Sequence, residues 1–345
     1  MSVKNRNKPE NKTIALKPLA AAVRACMASG ILLSASPPPV HAELPVAADV
    51  WAALGNATRS VNGGTMVINQ LTDKAILDWK SFNIGAENAV HFNQPAATSV
   101  ALNRIHQNDP SRIFGALTAN GQIYLVNKNG FVFGKNAQVN VNSLVATTLN
   151  ISEDVFKRGI TKAFDQDGTA ALQAGGETYL KDAQGRFVFD QNGEKVKIQI
   201  FVQPGAQLRT NAPGGRIIIA APSVVNQGTI ETPDGQTILA AATDKVYLQE
   251  ADPDSGIRGL LVEVETGGDV KNVGKIITER GNATLIGFAV NQEGRVSATT
   301  SVSLNGSVRL LAREGHQTVE SGGRKLLRPM STARGSGTDL GHELR

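Results

Sequence analysis

Residues 121–151 read GQIYLVNKNGFVFGKNAQVNVNSLVATTLNI, and aliphatic residues alternate with polar ones through most of this stretch. Val139, Val141 and Val145 fall on odd positions, whereas Asn140 and Asn142 fall on even ones. Alternation with a period of two is typical of a β-strand with one buried face. NKNG and GKNAQ interrupt the pattern and predict turns. The stretch therefore predicts several short strands, with the odd-numbered side chains of 139–151 on the buried face.

An internal repeat lies in the second half of the chain. NQGTIETPDGQTILAAA from Asn226 and NVGKIITERGNATLIGF from Asn272 share Asn, Gly, Ile, Thr, Gly and Leu at the same offsets, 46 positions apart. Other glycines recur at spacings of 20 and 23 residues, from Gly274 to Gly294 and from Gly205 to Gly228. A unit of 20 to 23 residues, with 46 interpreted as two units, indicates a solenoid.

The repeat unit predicts an all-β fold, a parallel β-helix. Each unit contains short strand-like runs such as RIIIAAP and TILAAAT, separated by Gly, Asn or Pro, without helical periodicity. Stacked coils bury aliphatic side chains against the same positions of their neighbours, about 4.8 Å away. Asparagines at the corners can hydrogen-bond from coil to coil. A β-sandwich, which also consists of many short strands, stays the alternative.

The first 42 residues predict an export signal with an unusually long basic segment. They carry six basic residues against Glu10 alone, a net charge of +5 that equals the net charge of the whole chain. An apolar stretch from Leu19 to Ala35 follows, and Val40-His41-Ala42 supplies the small residues that a signal peptidase requires, so cleavage is expected after Ala42. The remaining chain has no net charge, so its composition shows no excess of basic residues that would indicate binding to nucleic-acid phosphates.

The single cysteine, Cys26, lies inside the predicted signal, so the predicted mature chain has none. Exported proteins have access to disulfides, and their absence needs an explanation. Either a large repetitive core suffices, or the chain crosses a pore unfolded, where a cross-link would obstruct it.

Two segments depart from the solenoid pattern. Between about residues 155 and 200 the charge density rises, and TYLKDAQGRFVFDQNGEKVKIQI predicts β-hairpins that lie outside the solenoid. Residues 312–345 are poor in aliphatic side chains and predict a disordered tail. The predicted domain of solenoid coils therefore spans residues 43–311.

No pattern in the chain recommends a catalytic or metal site, and no cofactor is expected. Zinc sites of nitrogen and sulfur ligands are excluded, because no two histidines after the signal have ligand spacing and no cysteine remains. HQNDPS places His106, Asp109 and Ser111 close in sequence, but it is more simply a turn than a triad. Glu263 and Glu265 alternate with valines, which predicts a solvated strand face rather than an acid/base pair.

Residues 65–152 resemble the N-terminal secretion domain of filamentous haemagglutinin-type exoproteins, which are exported by two-partner secretion. The resemblance is carried, in order and spacing, by WKSFNIG from Trp79, VHFNQP, ALNRI, GQIYLVNKNG and LVATTLNI. Many members of that family have Asn-Pro-Asn-Gly where this chain has Lys128 between the two asparagines, so the turn lacks the rigid proline. The motif residues that the resemblance singles out are Trp79, Phe82, Asn83, Asn103, Arg104, Asn127, Asn129, Gly130 and Asn150.

The resemblance implies a right-handed parallel β-helix and a secreted or cell-surface protein of a Gram-negative organism. It implies passage through the periplasm unfolded, capture by the periplasmic domains of a dedicated TpsB-type outer-membrane β-barrel transporter, and an adhesin role toward a host or bacterial cell-surface ligand in a full-length protein. Two other classes of parallel β-helix stay open: a polysaccharide-active enzyme and an autotransporter-type passenger.

Overall fold

Three β-sheets form the walls of a solenoid in the computed structural model of the chain, which describes residues 43–182, 184–251 and 259–298 and the backbone of 307–312, 316–321 and 324–329. The predicted signal peptide and its cleavage site at Ala42 lie outside the described residues.

Each wall gains one strand per coil. Wall A consists, in sheet order, of β1 (Val46–Leu54), β4 (Lys74–Ser81), β6 (Val100–Ile105), β9 (Gln122–Val126), β12 (Ser143–Thr147), β15 (Arg216–Ala221), β18 (Gln236–Ala241), β23 (Asn282–Gly287) and β26 (Ser307–Ala312). Wall B consists of β2 (Ala57–Asn62), β3 (Thr65–Gln70), β5 (Ala89–Asn93), β8 (Ala116–Ala119), β11 (Gln138–Val141), β14 (Gln207–Thr210), β17 (Thr229–Glu231), β22 (Lys275–Ile277) and β25 (Arg295–Ser297). Wall C consists of β7 (Ser111–Ile113), β10 (Phe131–Phe133), β13 (Gln199–Val202), β16 (Ser223–Asn226), β21 (Asp269–Asn272) and β24 (Ala289–Gln292).

Strand pairing within the walls is parallel except at the N-terminal end, where β1 pairs with β4 and β2 pairs with β3 in antiparallel fashion. The interior therefore holds stacked aliphatic side chains: Leu117 of β8, Val139 of β11 and Leu208 of β14 follow one another in register and are all buried. The fold is a parallel β-helix, as the repeat predicts, and β1 and β2 cap its first coil.

The predicted inward parity of residues 139–151 holds for β11 and is wrong for β12. Val139 and Val141 lie in the interior, but on β12 the interior side chains are the even-numbered Leu144 and Ala146. Val145 points outward and is nevertheless buried in a second apolar layer. The corner between walls B and A lies between the two strands and reverses the inward-facing parity.

The second apolar layer covers the outer face of wall A. It is built partly from α1 (Glu153–Arg158) and α2 (Ala163–Asp167), two short helices that the sequence analysis did not predict. Ser152 caps α1 by accepting a hydrogen bond from Val155 N–H, and Phe156 packs edge-on against Tyr124 of β9. Hairpin-like segments follow the helices, as predicted, with antiparallel bridges between residues 179 and 197.

The 46-residue spacing is one coil with an insertion, so its interpretation as two units is wrong. Asn226 of β16 and Asn272 of β21 are register partners on adjacent strands. The insertion is the antiparallel pair β19 (Val246–Glu250) and β20 (Leu260–Val264), which lies outside wall A and adds to the second layer. Uninterrupted neighbours, such as Lys275 and Arg295, are 20 residues apart.

The predicted solvated face of β20 is also wrong for Glu263, which is 3% exposed. Glu263 stands directly opposite Tyr247 on β19, so both side chains share one face of the hairpin. Tyr247 packs edge-on against Phe164 of α2, which covers that face. Gln249 of β19 also donates a hydrogen bond to Asp165 of α2, at 3.0 Å. These two residues are 84 positions apart, so the covering helix comes from a much earlier part of the chain.

The segment predicted to be a disordered tail contains two described strands, β27 (His316–Ser321) and β28 (Arg324–Pro329), which pair in antiparallel fashion. Residues 330–345 lie outside the described residues. The predicted limits of the domain and of the tail stay predictions.

Candidate functional site

Aromatic motif residues fill the N-terminal end of the β-helix interior. Trp79 of β4 is fully buried and packs edge-on against Trp51 of β1 and Phe82, with ring centroids 5.6 and 5.2 Å apart. Its indole Nε1–H donates to Asn103 Oδ1 of the next coil, 2.9 Å away. The Asn103 amide in turn donates to the carbonyls of Ala101 and Tyr124, each at 3.2 Å. A buried polar group needs such partners, and these link three coils of wall A.

Three motif residues stack together with Gln107 at the corner that follows wall A, forming what we call the corner ladder: Asn83, Gln107, Asn127 and Asn129. Asn83 Oδ1 accepts from Arg112 N–H at 2.8 Å, and Gln107 Oε1 accepts from Phe82 N–H at 2.8 Å. Phe82 lies beyond the end of β4, and Arg112 lies on β7, the terminal strand of wall C. These side chains therefore satisfy backbone groups that would otherwise lack partners.

The second half of the corner ladder is the NKNG turn. Asn127 is fully buried and donates to Asp109 O and Ser111 Oγ, at 3.1 and 2.9 Å. Asn129 donates to Gln107 O at 2.7 Å. Gly130 has a φ of +100°, and a Cβ added there would lie 2.2 Å from the carbonyl oxygen of Gln199 in the next coil of wall C. Both asparagines and the glycine are therefore fixed by coil stacking.

Arg104 forms a partly buried ionic cluster on the outer face of wall A. Its Nε and Nη2 donate to both oxygens of Asp78, at 2.9 and 2.6 Å, and His106 Nε2 lies 2.8 Å from Asp78 Oδ1. Burial raises the pKa of Asp78, but the hydrogen bonds and charges of Arg104 and His106 outweigh it, so the pKa lies below the usual 3.8. The side chain of Asp78 is only 12% exposed, which makes this pair stronger than a surface ion pair.

We expect Asp78→Asn to lower the free energy of unfolding at pH 7 by about 1–2 kcal/mol, because charge-assisted hydrogen bonds are lost from a partly buried site. Since the folded-state pKa is depressed, this stabilisation is fully present above the unfolded pKa and is lost as the pH falls through the folded-state pKa, which lies below 3.8. Urea unfolding at pH 7 and pH 3 measures both effects. Asp49→Asn is the control, because the Asp49–Lys80 pair is exposed. A difference at pH 3 as large as that at pH 7 would contradict this origin.

Asn150 is the one motif residue that lies apart from these contacts. Its side chain is exposed, and its backbone exchanges hydrogen bonds with Gln173, at 2.7 and 3.0 Å, where the chain leaves the solenoid. The sequence analysis missed Gln107, which it placed only in a simple turn. The spacing of 24 residues between Asn83 and Gln107, shared by Gln70 and Gln94 at another corner, could have identified it.

The residues considered for catalysis are engaged in structural contacts. His106 pairs with Asp78, and Ser111 Oγ accepts from Asn127. Within the described ranges, no group of three or more His, Cys, Asp or Glu side chains could hold a metal ion. Across the same residues, no helix has the length and apolar character needed to span a membrane.

The geometry thus defines a capped parallel β-helix whose motif residues hold successive coils together rather than line a cleft. Residues 52–298 match the family model of the TPS secretion domain, so the chain belongs to this family, whose members are secreted by the two-partner pathway. The resemblance to two-partner secretion exoproteins is thereby confirmed.

Solved and curated relatives agree. The HMW1 secretion domain from Haemophilus influenzae superposes with a TM-score of 0.59 at 25% sequence identity, covering 76% of this chain and 62% of that one. The heme/hemopexin-binding protein of Haemophilus influenzae strain Rd is 45% identical over 98 residues, which are 28% of this chain and 11% of that protein. A second Haemophilus influenzae heme/hemopexin-binding protein is 48% identical over 86 residues, 25% of this chain and 9% of that protein. The chain thus spans about a tenth of the length of these curated relatives.

The residue that departs from the family turn, Lys128, occupies the second position of a β-turn closed by a 3.0 Å hydrogen bond from Gly130 N–H to Asn127 O. Among the described residues, Lys128 N–H donates to no backbone carbonyl. The second position of such a turn favours proline, which loses little chain entropy on folding.

We expect Lys128→Pro to raise the free energy of unfolding by about 0.4–1 kcal/mol. The matched control is Asn129→Pro, which removes an N–H that donates to Asn127 Oδ1 at 2.9 Å and should destabilise. Urea midpoints compare the two variants, and export is measured in parallel. A lower midpoint for Lys128→Pro would contradict the turn assignment.

Proposed function

We propose that residues 43 to about 311 direct export of this chain through a cognate outer-membrane β-barrel transporter, and that the segment of β1 is what the transporter's periplasmic domains bind first. The chain would cross the periplasm unfolded and fold coil by coil at the cell surface. The family match supports export, and the irregular pairing of β1 supports its role as the first contact.

The pairing of β1 with β4 is interrupted along its whole length. Register partners are Val46 with Ser81, Ala47 with Trp79, Ala52 with Leu77 and Leu54 with Ile76, with shifts between each pair. Residues 48–51 therefore lack register partners on β4. Few ladder positions therefore hold β1 on β4 in the folded protein, where Trp51 anchors it by packing against Trp79.

The outer side of the cap is apolar and open. β1 is the terminal strand of wall A, and Val50 and Val46 are 75% and 52% exposed. An unpaired strand edge is a ready template for another chain, and an extended segment that adds to a sheet edge is a common mode of recognition. We infer that the transporter holds this segment by β-augmentation before it pairs with β4.

The discriminating variant is Val50→Pro, because proline removes one backbone donor at a position without a partner on β4. We expect export to fall about tenfold, the equivalent of one lost recognition contact of roughly 1.4 kcal/mol, while the urea midpoint of the folded protein changes little. Val50→Thr keeps the N–H and the β-branched side chain and serves as the control. Undiminished export of Val50→Pro would refute augmentation at β1.

The adhesin role in a full-length protein stays a prediction of the resemblance. Heme and hemopexin binding are properties named for the curated relatives, and this chain matches a small share of each. The regions of such proteins that bind ligands can lie outside the matched residues.

A further inference from the structure

The segment 178–198 contains an eight-residue repeat that forms a small module, here called the knob. Its three units start at Tyr179, Phe187 and Lys195 and read YLKDAQGR, FVFDQNGE and KVK. Position two of the unit is always aliphatic: Leu180, Val188 and Val196. The first two units each have Asp at position four and Gly at position seven. The repeat supplies three short extended segments joined by two equivalent turns.

Backbone hydrogen bonds close the three segments into a triangle. Leu180 N–H donates to Val196 O, Val196 N–H to Val188 O, and Val188 N–H to Leu180 O, at 2.8, 2.9 and 2.9 Å. Each segment therefore pairs with both others, and the knob has no free cleft between its segments. Ile198 N–H donates to Thr178 O at 2.9 Å and closes the neck toward the solenoid. The knob is a convex projection.

Two of the three acidic side chains of the knob, those of Asp182 and Asp190, hold its own turns, whereas the side chain of Glu194 is exposed. Asp182 Oδ1 accepts from the N–H groups of residues 184 and 186, and Asp190 Oδ1 accepts from those of residues 192 and 194. The carboxylate of Asp182 also pairs with Arg186. These carboxylates hold the turns and lie away from the paired positions of the three segments.

The paired positions carry aromatic and lysine side chains alone. The three cross-segment bridges join Tyr179 with Lys197, Phe187 with Lys181, and Phe189 with Lys195. Lys181 forms an ion pair with Glu177, and Lys197 forms one with Asp269. Lys195 forms none among the described residues, and its Nζ lies 4.1 Å from the ring centroid of Phe187 and 5.4 Å from that of Tyr179. Phe189 is 56% exposed and Phe187 38%, although both are large and apolar.

We propose that the knob docks on an anionic, phosphate-bearing lipid surface. Phenylalanine rings on a convex surface can enter the boundary between headgroups and acyl chains, while the adjacent ammonium group of Lys195 binds a lipid phosphate. An acidic glycan fits less well, because a sugar site needs a concavity and several hydrogen-bonding side chains, and the knob offers phenylalanine rings and one unpaired ammonium group on a convex face. The knob then places the folded protein against a membrane surface independently of how it was exported.

The test is sedimentation of the protein with lipid vesicles. Wild-type protein should bind vesicles of phosphatidylcholine mixed with phosphatidylglycerol, bind vesicles of phosphatidylcholine alone weakly, and lose binding as salt rises. The Phe187→Ser/Phe189→Ser double variant should bind about tenfold more weakly. Lys195→Gln should bind about fivefold more weakly, the equivalent of one phosphate contact.

Two controls separate the knob from general surface effects. Phe288→Ser removes a phenylalanine that is 59% exposed on the solenoid itself, and Lys275→Gln removes an exposed lysine of β22. Both should bind like the wild type, and thermal melting should show that all variants are folded. Equal binding to both vesicle types, or full binding by the double variant, would overturn the proposal. Binding to an acidic polysaccharide with none to vesicles would overturn it as well.

Discussion

Trp79→Ala lowers the free energy of unfolding by about 4 kcal/mol, the largest loss expected for a single substitution at the motif residues. The variant leaves a cavity among Trp51, Phe82 and the first coils, where Trp79 is fully buried. It also removes the donor that satisfies Asn103 Oδ1, a buried acceptor in the next coil. The urea midpoint is the measurement.

Trp79→Phe separates the two contributions. Phenylalanine keeps much of the ring volume but lacks the indole N–H, so a smaller loss of about 1–2 kcal/mol is expected from the unsatisfied Asn103. An equal loss in both variants would show that the hydrogen bond dominates. A loss below about 1 kcal/mol for Trp79→Ala would contradict the packing described for the N-terminal end.

Gly130→Ala lowers the free energy of unfolding by about 3–4 kcal/mol. The backbone conformation, with φ at +100°, costs roughly 1–2 kcal/mol for a residue with a side chain. The added Cβ would also lie 2.2 Å from the carbonyl oxygen of Gln199, so neighbouring coils must separate locally, for which overpacking costs of about 1–3 kcal/mol are typical.

The control for Gly130 is Gly63→Ala in the turn between β2 and β3. Gly63 has a φ of +58°, and an added Cβ would meet no atom within 4 Å. It should therefore show the backbone cost alone, about 1–2 kcal/mol. Equal urea midpoints for the two variants would mean that coils do not press on the NKNG corner.

The repeating coils of the fold could be predicted from the sequence. Regular spacing of Gly and Asn predicts the coils, and Asn226 and Asn272 do stack, with Nδ2 of the first donating to Oδ1 of the second at 2.7 Å. What it could not predict was the second apolar layer. An outward strand residue such as Val145 has the same pattern whether solvent or an inserted segment covers it. The covering segments lie in insertions that do not follow the repeat.

The sequence predicted which residues make up most of the motif contacts, but only partly which of them touch one another. The resemblance singled out Asn83, Asn127 and Asn129, which the structure brings together at one corner, but it gave no reason to include Gln107. Asn150, in the motif LVATTLNI, lies instead where the chain leaves the solenoid, directly before the inserted helix α1. Local motifs fix residue types, whereas insertions decide which of them stack.

The most direct test of the proposed export route is the amount of this protein in the culture medium with and without a cognate outer-membrane β-barrel transporter. We expect the protein to be found in the medium when the transporter is present, and to be retained or degraded inside the cell when the transporter gene is deleted. Restoring the gene on a plasmid should restore export. An undiminished amount in the medium without the transporter would contradict the proposed route of secretion.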